Sequence, residues 1–214
     1  MSRLGLDSIT QCDILVVIDV QRDFCAQGRL VVQDGDAVVP LINQLGGRFQ
    51  HVILTQDWHP AGHSSFASTH PGKRPYESIQ APYGQQTLWP DHCIQGSPGA
   101  EFHPDLDIPH VELILRKGFR DAIDSYSAFT ENDKTTPTGL AGYLRERGFR
   151  RIFLAGLAYD FCVRFSAVDA VHAGFEAFVF EDACRAVNLG GSVAGTQREF
   201  AETGVVRLAT AELS

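Results

Sequence analysis

Several apolar runs in this chain of 214 residues contain almost no polar residue, and they restrict its fold more than any other feature. The clearest runs are ILVVIDV, VELILRK and RIFLAG. A strand with one solvated face alternates apolar and polar residues, whereas a strand covered on both faces is apolar almost throughout. The runs therefore predict a parallel sheet with helices packed on both of its faces.

Six runs of this kind are predicted as strands, at residues 13–20, 52–57, 111–117, 152–158, 177–182 and 205–208. Apolar residues at helical spacing predict four helices, at residues 37–45, 139–147, 163–172 and 193–202. Because strands and helices alternate, we expect an α/β protein of three layers (α/β/α), with a six-stranded, mainly parallel sheet and right-handed crossovers. The chain has no obvious linker, so we expect a single domain over residues 1–214.

One long segment, residues 58–109, interrupts this alternation. It is rich in Pro, Gly, Ser and His, and it is too long for an ordinary connection between a strand and a helix. Loops of this length inside compact domains usually carry function. We expect this segment to supply metal-binding and substrate-binding residues.

Charge and cysteine content restrict the partners and the compartment. The formal net charge of −8 argues against a nucleic-acid partner, because phosphate binding needs clustered Lys and Arg. No apolar stretch approaches the length of a membrane helix, and MSRLGLDSIT lacks the core of a signal peptide. The five cysteines are odd in number and have no CxxC spacing. We therefore expect a cytoplasmic protein that does not bind membranes.

Three polar residues at strand ends suggest an activated thiol. Asp19 interrupts an apolar strand, and a buried carboxylate is costly unless it is paired. Lys117 ends another strand and can neutralise it, while Cys162 begins a helical pattern, where the helix dipole favours thiolate. Ligands of open α/β sheets bind beyond the carboxyl ends of the strands, so the three residues can meet. Taken singly, Cys162 fits a buried core cysteine and Lys117 a solvated lysine; their combination favours a nucleophile beside a base.

A metal site is suggested by Asp57 and His59 in TQDWHP. Residues two apart on an extended segment project to the same side, so both can bind one cation. His92 is the preferred third ligand, and His63 and His70 are alternatives. Oxygen and imidazole ligands suit Zn, Fe, Mn or Co better than Ca or Mg. On spacing alone, polar loop residues that cap turns are an equally good interpretation.

Three aromatic residues near the strand ends, Phe24, Trp89 and Tyr126, can form the walls of a site for a planar ligand. Aromatic residues in loops also serve as packing plugs. The chain contains neither GxGxxG nor GxxxxGK[ST], so nothing supports a nucleotide cofactor.

At these residues the chain resembles the nicotinamidases (pyrazinamidases), which are cysteine amidohydrolases of the isochorismatase-like superfamily. The matching stretches occur in family order: VVIDVQRDF, TQDWHPAGHSSF, LWPDHCIQGSPGAEFH, RKGFRDAIDSYSAF and LAGLAYDFCV. Isochorismatases lack the nucleophilic cysteine, and carbamoylsarcosine-type amidases lack the metal motif. Both features are present here, so the resemblance selects the nicotinamidases.

The resemblance implies a parallel sheet of Rossmann-like order and a set of site residues. The implied catalytic residues are Asp19, Lys117 and Cys162. The implied ligands of a divalent metal, zinc first with iron or manganese as alternatives, are Asp57, His59 and His92, with His63 at a position whose role varies in the family. The implied oxyanion hole is formed by the backbone N–H groups of Ala158 and Cys162, beside a cis peptide at Leu157–Ala158. The implied neighbours of the substrate ring are Phe24 and Trp89, with Tyr126 as a looser match.

The function implied by the resemblance is hydrolysis of nicotinamide, and also of pyrazinamide, through a thioester on Cys162. Nicotinamide would give nicotinate and ammonia, a step in pyridine nucleotide salvage. Three alternatives stay open: an amidase or ureidohydrolase of the same superfamily that acts on a non-pyridine amide, a catalytically silent metal-binding or interaction protein, and a redox sensor. A sensor would need a resolving thiol, for which Cys184 is the downstream candidate. A homo-oligomer is compatible with the sequence.

Overall fold

A six-stranded sheet forms the centre of the protein in the computed structural model, which describes residues 9–213. Its strands are β1 (Asp13–Ile18), β2 (Val52–Asp57), β5 (Leu113–Lys117), β6 (Arg151–Leu157), β7 (Glu176–Arg185) and β8 (Val206–Leu208), and a separate hairpin contains β3 (Ser78–Ala81) and β4 (Gly84–Thr87). The sheet has the order β5-β2-β1-β6-β7-β8, and all five neighbouring pairs are parallel. Numbered within the sheet alone, this is the 3-2-1-4-5-6 order of Rossmann folds. The predicted parallel sheet is confirmed.

Helices cover both faces of the sheet, which confirms the predicted three layers. They are α1 (Val38–Gly46), α2 (Leu140–Glu146), α3 (Arg164–His172) and α4 (Ser192–Thr203). Helix α1 packs on the face to which Leu15 and Val17 of β1 point. The other three helices pack on the opposite face, together with Ile14, Val16 and Ile18. Because β1 is buried on both sides, its sequence is apolar throughout.

The observed strand ends differ from the predicted ones where the backbone changes direction. Strand β1 ends two residues early because Asp19 has a φ of 48°, a left-handed conformation that an extended strand cannot continue. Strand β7 is longer than predicted and contains an irregularity opposite residues 154–156 of β6. Helix α3 begins later than predicted because residues Tyr159–Val163 form one π-helical turn.

The long segment after β2 is more ordered than a loop. Sequence analysis did not predict its antiparallel hairpin of β3 and β4, whose strands are only four residues each. Isolated pairings attach the segment to itself, between His59 and Ile94 and between Phe66 and Trp89. No helix within residues 9–213 has both the length and the apolar character that a membrane span needs.

Candidate active site

Four polar residues meet at the carboxyl edge of the sheet. Asp57 and Lys117 are the last residues of β2 and β5 and are register partners, while Asp19 follows β1. Cys162 lies in the turn after β6. Strands β1 and β6 are neighbours at the point where the strand order reverses, which is where open α/β sheets bind ligands. The fold thus brings together residues that are far apart in sequence.

Lys117 is the centre of this group, and its side chain is fully buried. Its Nζ lies 2.8 Å from Asp19 Oδ2, 2.5 Å from Asp57 Oδ1 and 3.4 Å from Cys162 Sγ, and it also donates to the Ser125 carbonyl at 3.0 Å. The expected proximity of Asp19, Lys117 and Cys162 is therefore present. The contact with Asp57 was not anticipated, and it joins the thiol site to the predicted metal ligands.

Burial and charge act in opposite directions on these groups. Burial lowers the pKa of Lys117, but the carboxylates of Asp19 and Asp57 outweigh it and raise this pKa well above its ordinary value. Burial raises the pKa of Asp19, which makes this carboxylate a stronger base. Burial also raises the pKa of the Cys162 thiol well above its ordinary value, and Lys117 offsets part of that rise. The resting group is thus a thiol, and the thiolate expected from the helix dipole is outweighed by burial.

Asp19 is held in place by Thr55, a residue that sequence analysis missed. The Thr55 hydroxyl donates to Asp19 Oδ1 at 2.6 Å, and the Asp19 backbone N–H donates to Thr55 Oγ1 at 3.1 Å. Thr55 lies in the buried strand β2 and is itself fully buried. A polar residue in an otherwise apolar strand was the available signal, because such a residue needs a partner.

The predicted metal ligands Asp57, His59 and His92 have their donor atoms within 4.8 Å of one another, and all three residues are buried. Asp57 Oδ2 is 3.5 Å from His59 Nε2 and 3.7 Å from His92 Nε2. The Nδ1 atoms donate to backbone carbonyls, that of His59 to Gly118 at 2.9 Å and that of His92 to Pro90 at 2.8 Å. A carbonyl can only accept, so each Nε2 keeps its lone pair for a ligand.

The surroundings of His59 fit the same interpretation. A Cβ on Gly118, whose φ is +67°, would lie 2.5 Å from His59 Cε1, so only glycine lets the imidazole take this place. Burial raises the pKa of Asp57, but the Lys117 ammonium outweighs it and holds this pKa well below the ordinary value. A carboxylate and two imidazole lone pairs form a donor set that fits a divalent transition metal.

The two alternative ligands are engaged elsewhere. His63 has its Nδ1 2.8 Å from Ser65 Oγ and its Nε2 2.7 Å from the Arg120 carbonyl. His70 bonds through Nε2 to the Ser64 carbonyl at 2.7 Å. The imidazole of His63 is close to that of His59, with 4.6 Å between the ring centroids, but neither of its nitrogens points to the Asp57 carboxylate group in this conformation.

A cavity of about 340 Å³, part of it open to solvent, lies against the thiol and the metal ligands. The predicted aromatic residues Phe24, Trp89 and Tyr126 all line it, as do Ala158 and Cys162. Its walls also contain four residues that sequence analysis did not single out: Leu30, Asp124, Phe161 and Val187.

The turn that carries Cys162 has the predicted cis peptide at Leu157–Ala158. Ala158 is extended, with φ −91° and ψ 145°, and the π-helical turn starts directly after it. The five cysteines are free. The assignment of the Ala158 and Cys162 N–H groups to an oxyanion hole stays a prediction.

A second group of possible metal ligands, Cys25, Asp36 and His103, lies outside this cavity. His103 Nδ1 accepts the backbone N–H of Asp105 at 3.2 Å, so the imidazole proton is on Nε2. This Nε2–H points to Asp36 Oδ1 at 3.1 Å. The group is therefore a hydrogen-bonded pair beside a buried thiol, and the imidazole has no free lone pair for a metal.

The chain is similar to known proteins over nearly its whole length. The sequence model of one protein family, the isochorismatase domain, matches residues 13–211 of this chain. A curated nicotinamidase from Acinetobacter baylyi is 49% identical over 210 residues, which are 98% of this chain and 98% of the relative.

Solved structures of related proteins have the same fold as this chain. A nicotinamidase/pyrazinamidase from Acinetobacter baumanii superposes with a TM-score of 0.95 at 54% identity, over 96% of this chain and 99% of its own. A protein from L. infantum, solved in complex with nicotinate, has a TM-score of 0.85 at 38% identity, with coverage of 97% and 98%. A pyrazinamidase from Pyrococcus horikoshii, solved in complex with zinc, has a TM-score of 0.75 at 31% identity, with coverage of 92% and 98%.

Proposed function

The chain belongs to the isochorismatase domain family, and from this premise we propose that it hydrolyses nicotinamide to nicotinate and ammonia. The observation that carries the proposal is the position of Lys117 between Asp19 and Cys162, because Cys162 lines an aromatic cavity together with the three residues whose donor atoms fit a metal. The similarity to a nicotinamidase at 49% identity and to a structure that holds nicotinate supports the same substrate.

The first half of the reaction uses the buried charges. Asp19 lies within 4.8 Å of Cys162 and takes the proton of its thiol as sulfur attacks the carboxamide carbon. Lys117 stays between the two groups and stabilises the negative charge on each of them. The backbone N–H groups of Ala158 and Cys162 stabilise the oxyanion that forms. Asp19 then returns the proton to the leaving nitrogen, so ammonia departs and a thioester on Cys162 remains.

The second half of the reaction hydrolyses the thioester. Asp19, again a carboxylate, accepts a proton from a water molecule that attacks the thioester carbon. The carbon–sulfur bond breaks, Asp19 passes its proton back to the Cys162 sulfur, and the nicotinic acid that forms releases its remaining proton to solvent as nicotinate. Each turnover therefore consumes one amide and one water and regenerates the thiol.

A divalent metal bound by Asp57, His59 and His92 would supply a Lewis acid beside the cavity, for the ring nitrogen of the substrate and for water. We propose zinc, with iron or manganese as alternatives; the zinc complex of the Pyrococcus horikoshii pyrazinamidase supports this choice. The chain's own contribution is the orientation of the ligands, because the carbonyls of Gly118 and Pro90 fix both imidazoles. We also propose that the enzyme acts in the cytoplasm, where its five free cysteines stay reduced.

Ammonia release by the purified protein tests the proposal. We expect turnover of nicotinamide and pyrazinamide, loss of activity after chelation, and recovery when zinc, manganese or iron(II) is added back. Benzamide has the same shape and amide but lacks the ring nitrogen. A site built to bind a polar atom rejects an analogue that lacks it, so its kcat/KM should be much lower. Hydrolysis of other amides with no turnover of nicotinamide would instead identify a different amidase of the family.

A further inference from the structure

Two adjacent glutamines on β4 have opposite environments. Gln85 is exposed, whereas Gln86 is buried with 1% of its surface accessible, as expected for neighbours on a strand. The hairpin of β3 and β4 is only two strands wide, and such hairpins are marginal unless they are attached to a larger body. Gln86 contributes to that attachment through hydrogen bonds to Asp124 and Tyr126, two residues that line the cavity.

The amide nitrogen of Gln86 contacts three acceptors. Nε2 lies 2.7 Å from the Thr87 carbonyl, 2.9 Å from Asp124 Oδ2 and 2.9 Å from the Tyr126 hydroxyl oxygen. The group has two hydrogens, so one of them is shared between two acceptors. Asp124 and Tyr126 both line the cavity, and a single side chain of the hairpin therefore holds two of its walls.

The amide oxygen of Gln86 fixes the orientation of this group. Oε1 accepts the Tyr83 hydroxyl at 3.1 Å and Asn132 Nδ2 at 3.1 Å. A flipped amide would place Oε1 against the Asp124 carboxylate, where both atoms are acceptors. Asn132 in turn accepts the backbone N–H of Tyr126 at 3.0 Å, which closes the network.

This hydrogen-bond network leaves the Tyr126 O–H as a free donor. Its oxygen faces Gln86 Nε2 at 2.9 Å and Trp89 Nε1 at 3.0 Å, and neither nitrogen can accept a hydrogen bond. Within residues 9–213 no group accepts the Tyr126 O–H. Burial and the Asp124 carboxylate raise the pKa of Tyr126 well above its ordinary value, so the hydroxyl keeps its proton.

We propose that Gln86 is a positioning residue for substrate binding: it holds the Tyr126 hydroxyl at the cavity wall with its O–H free to donate to an acceptor atom of the bound amide. The inference rests on the proposed function only for the identity of the ligand. The donor role of the Tyr126 hydroxyl does not depend on that identity, because Gln86 and Trp89 both donate hydrogen bonds to its oxygen and leave its O–H to donate.

Steady-state kinetics with nicotinamide test the role of Gln86. Gln86→Met keeps the length of the side chain and removes both polar atoms, and Gln85→Met is the matched control on the exposed face of the same strand. For Gln86→Met we expect KM to rise roughly tenfold, the factor for one lost hydrogen bond, with kcat unchanged. For Gln85→Met both constants should stay at wild-type values. Unchanged KM in a folded Gln86→Met variant would overturn the proposal.

A double-mutant cycle separates positioning from general damage. Tyr126→Phe removes the hydroxyl and should raise KM by the same factor. If Gln86 acts through Tyr126, the double variant should resemble Tyr126→Phe alone, whereas independent effects would multiply. Multiplication of the two factors would assign Gln86 a structural role only. Should Gln86→Met fail to fold, Gln86→Asn keeps the amide but cannot reach Tyr126, and the same outcomes apply to it.

A measurement without substrate distinguishes failure of this inference from failure of the proposed function. The chain has two tryptophans, and a Trp58→Phe variant assigns the indole N–H signal of Trp89 in a ¹⁵N–¹H spectrum. This signal should shift in Gln86→Met and in Tyr126→Phe, and it should stay in place in Gln85→Met. A wild type inactive on nicotinamide, with these shifts present, would refute the substrate and leave the network intact. Absence of any shift would refute the network.

Discussion

Replacement of Lys117 by Met is the most informative single change in this molecule. Met has a similar length and fills the same buried space, so the variant removes the charge with little change in packing. Two buried carboxylates, Asp19 at 2.8 Å and Asp57 at 2.5 Å, lose their ammonium partner, and so does the Cys162 sulfur at 3.4 Å.

The size of the effect follows from these distances. At an effective dielectric constant of about 20, two unit charges 2.8 Å apart attract each other by about 6 kcal/mol. Desolvation of the ammonium offsets much of this, and removal of one partner of a buried pair costs about 3–5 kcal/mol. That is a large share of a typical unfolding free energy of about 5–15 kcal/mol. We therefore expect a folded but clearly destabilised Lys117→Met variant.

The loss should also depend on pH. Without Lys117 the two carboxylates repel each other in a buried site, so their pKa values in the folded variant rise above those in the unfolded chain. The folded state then binds more protons than the unfolded state, and the stability of the variant increases as the pH falls. Urea unfolding of wild type and variant at several pH values should show a deficit that shrinks toward acid pH.

Thiol alkylation and turnover complete the test. The Lys117 ammonium lies 3.4 Å from the Cys162 sulfur and lowers its pKa, and each unit by which the thiol pKa rises lowers the thiolate fraction about tenfold. Iodoacetamide should react with Cys162 at least about tenfold more slowly in the variant, and turnover should fall by orders of magnitude. Lys73→Met, in an exposed pair with Glu77, is the matched control and should cost less than about 1 kcal/mol. Wild-type stability and alkylation rate in Lys117→Met would refute the reasoning.

Three further predictions concern other parts of the molecule. Cys162→Ala and Cys162→Ser should abolish ammonia release without loss of the thermal unfolding transition, and wild-type turnover in either would exclude Cys162 as nucleophile. His59→Ala or His92→Ala should deplete the metal from about one per chain by elemental analysis, with a smaller effect of His63→Ala; full metal content in the His59/His92 double variant would overturn the ligand set. Asp13→Asn should cost about 2 kcal/mol at pH 7, because Asp13 accepts hydrogen bonds from the guanidinium of Arg151. Burial raises the pKa of Asp13, but these bonds outweigh it and hold the pKa below that of an ordinary aspartate. The difference in unfolding free energy from wild type, measured in urea, should therefore be full above the ordinary pKa and disappear as the pH falls through the folded-state pKa.

The central strands could be predicted from sequence because β1, β2 and β6 are buried on both faces, whereas β5 is half exposed on one face, where Ile114 has 50% of its surface accessible. Burial leaves a continuous apolar run such as 14–18, and each run ended close to an observed strand end. The hairpin of β3 and β4 could not be predicted in this way. In its sequence SIQA alternates polar and apolar residues over only four positions, and GQQT contains no large apolar residue, so the segment carries neither an apolar run nor an alternation long enough to indicate a strand.

The residues that perform chemistry were easier to find than the residues that hold them. A carboxylate or a lysine at the end of an apolar strand is a charged group in an apolar environment and needs a partner. Asp19 and Lys117 were predicted on that ground. Gln86 gives no such signal in the sequence, because a glutamine among other polar residues is ordinary. Its role depends on Asp124 and Tyr126, which lie some forty positions further along the chain, and only the folded structure shows the contacts.

Asp57 connects the two halves of the site, which the sequence presented as separate groups. Its Oδ1 is paired with Lys117, and its Oδ2 faces the Nε2 atoms of His59 and His92. One carboxylate therefore serves both the ammonium that stabilises the thiol site and the donor set that fits a metal. A substitution at Asp57 would disturb both sites and could not test metal binding alone. The imidazoles of His59 and His92 make no hydrogen bond to Lys117. Substituting them should therefore remove the metal while the charges around Cys162 stay in place.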